Sequence, residues 1–353
     1  MRNFDVIVVG AGPAGCASAL KCSQLGFDVL LIEKEAPGRH KPCGGVLPFV
    51  SVDVLGEIGL KKIPEEVMCS PQTLGLFYVP PSGIKNGGYV KNYRLLNVDR
   101  DRFDQCLQNA AESSGAQILY ETEFLKFEKM EEGFTITART GSRVMDLSTC
   151  CLIGADGVFS KVRKQLCPNL EMKTLQILQE HWRAKGNFGK YFYMFFKGNV
   201  TPTYGYVIPK DGILIIGTGA PKDHLTPVSV HIRRFKTWLR REFAFNPVSL
   251  EMREAGTIPY DSPKSGEEDV ILVGDAAGFC SSLSGEGVRL AIESGVAAGE
   301  AIKQLQSSGD LLSRLYAQQV EELNEFICRT YEFAIDLTDK GREDFVKNEL
   351  ARF

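Results

Sequence analysis

The chain has 353 residues, of which 44% are hydrophobic and 24% charged, and its formal net charge is −3. These values indicate a globular protein with enough apolar side chains for two domains or one large one. The small negative charge argues against a dedicated nucleic-acid-binding protein. No apolar run in the sequence approaches the roughly 18 residues that a membrane-spanning helix needs, so we expect any membrane contact to be peripheral.

The chain contains ten cysteines, which raises the question of disulfides. The N-terminal sequence MRNFDVIVVG enters a strand-like apolar run directly, without the apolar core and cleavage site of a secretory signal peptide. We therefore expect a reducing, cytoplasmic compartment in which most cysteines are small buried hydrophobic residues. No two cysteines have CxxC or zinc-site spacing, so no metal site is predicted.

The first predicted unit is a strand, a helix and a second strand. Residues 4–9, FDVIVV, form a β-branched run, residues 16–26 have helical spacing, and residues 27–33, FDVLLIE, again have the pattern of a strand. Between the first strand and the helix lies GAGPAG, residues 10–15, which matches the GxGxxG pattern of dinucleotide-binding loops. The order of these elements predicts a βαβ unit that binds a dinucleotide.

Each glycine of this loop has an expected task. Gly10 allows the tight turn, Gly12 lets the backbone approach a pyrophosphate, and Gly15 packs the helix against the strand. The anion is expected at the helix N-terminus, where free N–H groups and the helix dipole attract it. Glu33 ends the second strand, where its carboxylate can accept hydrogen bonds from the ribose of an adenosine. The loop by itself does not distinguish FAD from NAD.

A second glycine-containing stretch, RHKPCGGVLP, follows at residues 39–48. Taken alone, Cys43 is compatible with three roles: a catalytic residue, a packing residue or a disulfide partner. The expected reducing compartment disfavours the disulfide. The other two roles stay open at this point of the chain.

Three more stretches complete the expected nucleotide-binding part. The first, residues 98–115, has helical spacing. Residues 71–94 before it, rich in proline and glycine, favour a hairpin or loop that belongs to a separate substrate-binding part. Two later stretches each place an apolar strand before a glycine and an aspartate: CCLIGADG at residues 150–157 and VILVGDAAG at residues 270–278. The second of these opens a long helix through SGEG.

Together, GAGPAG with Glu33, GADG at residues 154–157 and GDAAG at residues 274–278 resemble the three fingerprints of FAD-dependent oxidoreductases of the para-hydroxybenzoate hydroxylase type. This resemblance implies an α/β fold in which a Rossmann-like FAD-binding domain carries a β-sheet substrate domain. It also implies FAD as the cofactor.

The resemblance implies which residues contact FAD. Asp275 would bond the ribityl chain, Arg100 would reach the cofactor from the start of its helix, and Asp156 would organise a loop that the two nucleotides share. The other contacts implied are Gly10, Gly12, Pro13, Ala14, Gly15, Glu33, Lys34, Cys43, Gly44, Gly45, Gly274, Gly285, Gly287 and Val288.

Between the second and third fingerprints the sequence contains alternating runs such as KYFYMFF and GILIIGTG, which predict an antiparallel sheet. In YFYMFF, residues 191–196, alternate side chains share a face, and the face that is not packed on the core is expected to wall an apolar pocket. The expected organisation is an FAD-binding domain of residues 1–70, 95–170 and 257–310, a substrate-binding domain of residues 71–94 and 171–256, and a C-terminal helical segment of residues 311–353.

Residues 231–243, HIRRFKTWLRREF, have the pattern of a basic amphipathic helix. Such a helix either lies on an anionic membrane surface or binds a phosphate head group. Alternatively, it is an ordinary surface helix that buries its apolar stripe.

Two local motifs narrow the expected chemistry. PCGG at residues 42–45 and YGYVIP at residues 204–209 resemble the PCGG and YxWxFP-like motifs of the geranylgeranyl reductase family, with tyrosine for tryptophan and isoleucine for phenylalanine. Flavin halogenases instead carry WxWxIP, from which both tryptophans are missing here. The resemblance implies hydride transfer from reduced FAD to a double bond of an isoprenoid chain, with the proton coming from Cys43, Tyr204, Tyr206 or a trapped water.

The implied electron donor is NAD(P)H or reduced ferredoxin, since the sequence has no second dinucleotide fingerprint. The expected partner is an isoprenoid or another hydrophobic small molecule, with no nucleic acid and with peripheral membrane contact as an option. Two alternatives stay open. One is an FAD-dependent monooxygenase or halogenase of a small aromatic substrate. The other is a non-catalytic flavin-binding redox module that acts through Cys43 or the vicinal Cys150 and Cys151.

Overall fold

The computed structural model describes residues 2–335 and 337–352. In chain order its strands are β1 (Arg2–Val9), β2 (Val29–Ile32), β3 (Val46–Pro48), β4 (Met68–Val79), β5 (Gly88–Val98), β6 (Gln117–Leu119), β7 (Thr122–Lys129), β8 (Phe134–Thr140), β9 (Arg143–Gly154), β10 (Thr174–Lys185), β11 (Tyr191–Phe195), β12 (Gly205–Lys210), β13 (Ile213–Pro221), β14 (Asn246–Pro259), β15 (Gly266–Glu267) and β16 (Val270–Leu272). The α-helices are α1 (Pro13–Gln24), α2 (Ser51–Glu57), α3 (Arg100–Ser113), α4 (Lys161–Leu166), α5 (Val228–Phe243), α6 (Val288–Leu305), α7 (Leu312–Gln319), α8 (Glu321–Ile335) and α9 (Asp339–Ala351).

The first sheet has the strand order β15-β16-β9-β1-β2-β6, and its strands from β16 to β6 run parallel. β1, α1 and β2 form the predicted βαβ unit, with Val6 opposite Val29. The parallel strands lie within the main hydrophobic core, which explains their continuous apolar runs. β7 and β8 extend the sheet from β9 as an antiparallel ribbon. The predicted α/β fold with a Rossmann-like nucleotide-binding part is confirmed.

The second sheet has the strand order β14-β10-β13-β12-β11-β4-β5-β3 and is antiparallel except between β11 and β4. Its two faces have different neighbours. Tyr193 and Phe195 pack with the aromatic side chains of α5, and the Phe195 ring centroid lies 5.1 Å from that of Phe235. Phe192 and Met194 point to the opposite face, where they line a large cavity. The alternation in YFYMFF therefore separates a core face from a cavity face.

Helix α5 is the basic amphipathic helix of the sequence, and the second sheet covers its apolar stripe. Ile232, Phe235, Trp238 and Leu239 are all buried, whereas Arg233, Arg234, Arg240 and Arg241 are exposed. Lys236 is largely buried and pairs with Glu180 at 2.6 Å. This stripe cannot insert into a membrane while α5 is packed on the sheet, because the same side chains form the core beneath the sheet. In the described part of the chain, no helix combines the length and apolar character required to span a bilayer.

The second sheet takes in more of the chain than the predicted substrate-binding domain. Residues 46–48 form β3, which pairs with β5, although the prediction placed them in the FAD-binding part. β4 begins at Met68 and β5 continues to Val98, so both strands extend beyond the predicted segment 71–94. The sequence pattern missed β3 because three residues are too few to show an alternation.

Candidate functional site

A cavity of about 1020 Å³ lies between the two sheets. This volume is at the top of the range of about 300–1000 Å³ that is typical of small-molecule sites, so the cavity has room for a large cofactor. Its polar half is formed by the loops that follow β1, β9 and β16, which are neighbours in the first sheet. Its apolar half is one face of the second sheet. Of the residues predicted to bind the cofactor or to act in catalysis, all except Gly15 and Gly274 line this cavity.

The loop after β1 brings the backbone into the cavity at the N-terminus of α1. Gly10 has φ +105°, a conformation that L side chains rarely adopt, and a Cβ on Gly15 would overlap the carbonyl oxygen of Gly10. Gly15 thus packs helix against strand and stays out of the cavity. Gly12 precedes the first residue of α1 and lines the cavity, so the free N–H groups of the helix start face a ligand there.

Glu33 is buried beside this loop. Its Oε2 accepts a hydrogen bond from the Ala11 N–H at 2.7 Å, and its Oε1 accepts one from the Glu35 N–H at 3.0 Å. The carboxylate is therefore fixed in orientation at the end of β2. Lys34 also lines the cavity at this end.

Arg39 is a cavity residue that sequence reasoning missed. Its Nη2 lies 3.5 Å from Asp104 Oδ2, and its Nε lies 3.7 Å from Glu33 Oε2. That Nε is buried and has no hydrogen-bond partner among the described residues. A buried donor without a partner, next to the bare Gly12 and the α1 N-terminus, fits an anionic group of a dinucleotide.

The loops after β16 and before α6 approach the same cavity. Asp275 lines it and pairs with Lys41 Nζ at 3.2 Å, a contact that the sequence did not indicate. Gly285, Gly287 and Val288 line it at the start of α6, which is a second helix N-terminus facing the site. Gly274 instead packs against Ala14, where a Cβ would lie 2.8 Å from the Ala14 Cβ. The two nucleotide loops therefore contact each other directly.

Asp156 caps helix α4. Its carboxylate accepts hydrogen bonds from the Lys161 N–H at 2.6 Å and the Val162 N–H at 3.2 Å, and also from the Ser160 hydroxyl. Burial raises the pKa of Asp156, while these hydrogen bonds oppose that rise. Asp156 lines the cavity, and its donors come from Ser160 and from the first two residues of α4, so it ties this loop to the helix that follows.

Arg100 and Cys43 meet where the two halves of the cavity join. Arg100 is buried and forms a two-pronged pair with Asp104, from Nε at 3.0 Å and from Nη2 at 3.2 Å. Burial alone would lower the pKa of Arg100, but Asp104 and a hydrogen bond to Cys43 raise it overall. The Cys43 sulfur also accepts a hydrogen bond from the Gly45 N–H at 3.4 Å. One backbone donor therefore holds the thiol in the cavity wall, with the Arg100 guanidinium nearby.

The glycines after Cys43 make the loop thin. A Cβ on Gly44 would lie 2.5 Å from Ile208 Cδ1, and Gly45 has φ +62°. A Cβ on Gly45 would overlap the Val98 carbonyl oxygen, so the loop packs closely against β5 and β12. Lys210 Nζ donates a hydrogen bond to the Val98 carbonyl at 2.6 Å next to this loop.

Tyr204 and Tyr206 stand on the apolar side, and both hydroxyl hydrogens have protein acceptors. The Tyr204 hydroxyl donates to the Ser284 carbonyl, and the Tyr206 hydroxyl donates to Gln179 Oε1 at 2.8 Å. Burial raises the pKa of both tyrosines. Of the three predicted proton donors, these two are therefore weak acids whose protons are already engaged.

A polar cluster that sequence reasoning missed lies at the border of the apolar half. Glu254 accepts hydrogen bonds from Gln179 and from His181 Nε2 at 2.9 Å, and its other oxygen accepts one from His40 Nε2 at 2.6 Å. His40 also donates from Nδ1 to Asp101 at 2.7 Å. Five separate segments of the chain supply this cluster and Tyr206, so no local motif could indicate it.

The cluster keeps charge at the cavity edge. Burial would raise the pKa of Glu254, but hydrogen bonds from His181, His40 and Gln179 lower it to about 2. Hydrogen bonds to Asp101 and Glu254 raise the pKa of His40. His40 is half-exposed and lines the cavity. Because it pairs with Asp101 on α3 and with Glu254 on β14, it joins the loop before Cys43 to both elements.

The rest of the apolar half consists of aliphatic and aromatic side chains. They come from β4, β5, β10, β11 and β12: Leu76, Tyr78, Tyr93, Leu95, Ile177, Phe192, Met194 and Ile208. The vicinal Cys150 and Cys151 lie far from this wall, on β9, and all ten cysteines are free thiols.

Comparisons with known proteins agree with this geometry. The family model described as FAD binding domain matches residues 3–315. The protein CbrA of Escherichia coli strain K12 is 27% identical over 335 residues, which cover 92% of this chain and 87% of CbrA.

Solved structures share the fold. A geranylgeranyl bacteriochlorophyll reductase-like protein from Thermoplasma acidophilum matches with a TM-score of 0.84 at 21% identity, covering 99% of this chain and 92% of that chain. The myxobacterial chondrochloren halogenase CndH matches with a TM-score of 0.76 at 18% identity, covering 95% of this chain and 82% of that chain. At these identities the likeness concerns the fold alone.

Proposed function

The chain belongs to the FAD binding domain family of oxidoreductases, and from that premise we propose that it reduces carbon–carbon double bonds of an isoprenoid chain. One observation carries the proposal: the apolar half of the cavity is continuous with the polar half at Cys43, Gly44 and Gly45. An apolar chain that fills the sheet face would bring its double bond to the place where a cofactor in the polar half ends. The Thermoplasma acidophilum protein, which is geranylgeranyl bacteriochlorophyll reductase-like, has the same fold, so the fold is compatible with the proposal.

In the proposed reaction the double bond gains a hydride at one carbon and a proton at the other, so one π bond breaks and two C–H bonds form. Reduced FAD, held by the loops that follow β1, β9 and β16, would supply the hydride. The electrons come originally from NAD(P)H or reduced ferredoxin, which remains part of the proposal. The aromatic and aliphatic wall excludes water from the reacting carbons.

Cys43 is the proposed proton donor. Its thiol lies in the cavity wall close to Arg100, and the Gly45 N–H donates a hydrogen bond to its sulfur, which fixes the orientation of the side chain. Tyr204 and Tyr206 are better suited to orient a substrate, because each hydroxyl already donates to a fixed acceptor. Their oxygen lone pairs remain available to the cavity.

The test is an anaerobic one. Dithionite-reduced holoprotein is mixed with a geranylgeranyl lipid in detergent, and we expect reoxidation of the flavin together with a gain of one hydrogen pair per reduced bond in the product mass. The fully saturated lipid is the control and should leave the flavin reduced. The absence of turnover across isoprenoid lipids would overturn the proposal. Oxygen consumption that depends on a small aromatic compound would favour a monooxygenase instead.

Cys43→Ser separates the proposed role from mere packing. We expect the variant to keep its flavin and to lose double-bond reduction by about a hundredfold, the scale of a lost general acid. Cys106→Ser, a half-buried thiol on α3 outside the cavity, is the matched control and should react like the wild type. Equal activity of both variants would exclude Cys43 as the proton donor.

A further inference from the structure

The C-terminal helix α9 closes one end of the apolar half. Phe345 of this helix contacts two side chains of the second sheet: its ring centroid lies 5.6 Å from that of Tyr78 and 5.6 Å from that of Phe196. Tyr78 and Phe196 also contact each other, at 5.5 Å. Tyr78 lines the cavity, so Phe345 stands directly behind the wall at this point.

The strand register aligns this end with the reacting region. Tyr206 on β12 is opposite Met194 on β11, and Met194 is opposite Tyr78 on β4. All three side chains line the cavity. Because neighbouring strands lie about 4.8 Å apart, this row extends about 10 Å from Tyr206 to Tyr78. A chain that follows the row away from the Cys43 region therefore meets Tyr78, with Phe345 behind it.

Helix α9 is held firmly in this position. Arg342 is buried and donates hydrogen bonds to the carbonyls of Thr201, at 3.1 Å, and Pro202. Glu343 accepts hydrogen bonds from the Ser82 N–H at 3.0 Å and from its hydroxyl at 2.6 Å. These contacts join the first half of the helix to the loops that contain Ser82, Thr201 and Pro202. The end of the cavity is thus a fixed wall.

We propose that Phe345, acting through Tyr78, determines how long an apolar chain the cavity accepts beyond the reacting bond. The inference rests on the proposed function for the identity of the chain, an isoprenoid. It assigns a specificity role to the C-terminal helical segment. Tyr78 is held from behind by Phe345 and Phe196, and loss of the Phe345 ring leaves space into which Tyr78 and the chain end can move.

The test compares two phenylalanine variants of the holoprotein. Phe345→Ala removes the ring behind Tyr78. Phe333→Ala is the matched control. Phe333 lies on α8, its ring centroid is 5.5 Å from that of Phe345, and it is 41% exposed, so it packs on the outer side of Phe345. Binding of farnesol, geranylgeraniol and geranylfarnesol is measured by calorimetry, and turnover of the matching lipids is measured by anaerobic flavin reoxidation.

For the shortest of these alcohols that is too long for the wild-type cavity, we expect Phe345→Ala to gain about tenfold or more in affinity, the scale of one small apolar group in a hydrophobic pocket. Phe333→Ala should keep the wild-type length profile. An unchanged profile in a folded Phe345→Ala protein would overturn the inference. If that variant does not fold, Phe345→Leu must show a smaller shift in the same direction, and an unchanged profile there has the same consequence.

The two proposals fail in different ways. Binding of prenyl alcohols with a length limit that shifts in Phe345→Ala, but without flavin reoxidation, would overturn the proposed reaction and leave Phe345 as the length determinant. Reoxidation by every chain length, unchanged in Phe345→Ala, would support the reaction and overturn the role of Phe345. Absence of binding to any prenyl alcohol would overturn both.

Discussion

The two halves of the cavity are built in different ways. The polar half comes from loops that each follow their own strand, and because β16, β9 and β1 are neighbours, these loops meet at one edge of the first sheet. The apolar half comes from single side chains on separate strands, such as Tyr206, Met194 and Tyr78, which meet only when the strands pair in register. A short stretch of sequence specifies the first kind of wall, whereas the second depends on the register of a whole sheet.

We expect the largest effect from a substitution in the polar half, where flavin binding requires close contact between backbone segments. Gly15→Ala places a methyl group on the carbonyl oxygen of Gly10, so α1 must move away from the loop that would receive the pyrophosphate. We expect loss of flavin from the purified protein and a lower free energy of unfolding by about 1–3 kcal/mol, as for other overpacked sites. Flavin absorbance and urea unfolding measure the two effects.

Gly56→Ala is the matched control for this prediction. Gly56 lies in α2, and a Cβ there would meet no atom within 4 Å. Alanine favours a helix over glycine by up to about 1 kcal/mol, so this variant should keep its flavin and be slightly more stable. A Gly15→Ala protein that retains both flavin and stability would break the comparison, because the polar half would then tolerate side chains as the apolar half does.

A smaller effect is expected at the border between the halves. Glu254→Gln removes the charge that His40, His181 and Gln179 surround, and we expect a loss of about 1–3 kcal/mol in the free energy of unfolding near pH 6. Because the pKa of Glu254 falls from its ordinary 4.5 to about 2 on folding, its contribution is present above pH 4.5 and disappears as the pH falls toward 2.

The contribution of His40 to the free energy of unfolding changes with pH in the opposite direction. Folding raises the pKa of His40 above its ordinary 6.5, so its contribution is complete below pH 6.5 and is lost as the pH rises through the raised pKa. The difference between wild type and Glu254→Gln should therefore be largest between about pH 4.5 and 6.5, as measured by urea unfolding at a series of pH values. Glu251→Gln, an exposed glutamate on the same strand, should change little. A difference that does not vary with pH would contradict the charged cluster.

The sequence was sufficient for the parts of the site that depend on neighbouring residues. Gly10 and Glu33 could be placed at the cavity because each follows an apolar strand of the predicted βαβ unit, and Asp275 because GDAAG resembles an FAD fingerprint. The arrangement of YFYMFF into two faces was also predictable, since side chains alternate along a strand. Which face would meet the cavity depended on where α5 packs, and the strand itself does not contain that information.

Other parts of the site depend on contacts between distant segments. Arg39 follows the βαβ unit without a motif of its own, and its place in the cavity arises from its neighbours Glu33 and Asp104. Glu254 becomes a buried acceptor only because β14 pairs with β10 and brings it to His181. Phe345 meets Tyr78 across more than two thirds of the chain. Such contacts depend on tertiary packing, and they cannot be predicted from the periodicity of a short stretch of sequence.

The smallest expected effect concerns α5, which has the same kind of apolar stripe as the cavity wall but a different role. Its stripe is already covered: Trp238 and Phe235 are buried beneath the second sheet, and only the basic face meets solvent. Replacing Arg233 and Arg240 by glutamine therefore removes exposed charges without disturbing the core, and we expect the free energy of unfolding to change by less than about 0.5 kcal/mol. In a Trp182→Phe background, in which Trp238 is the remaining tryptophan, the emission should likewise stay constant when anionic vesicles are added, because insertion of the stripe would require α5 to leave the sheet. A vesicle-dependent shift that the two substitutions abolish would show that α5 does leave the sheet and that its stripe is not permanently covered.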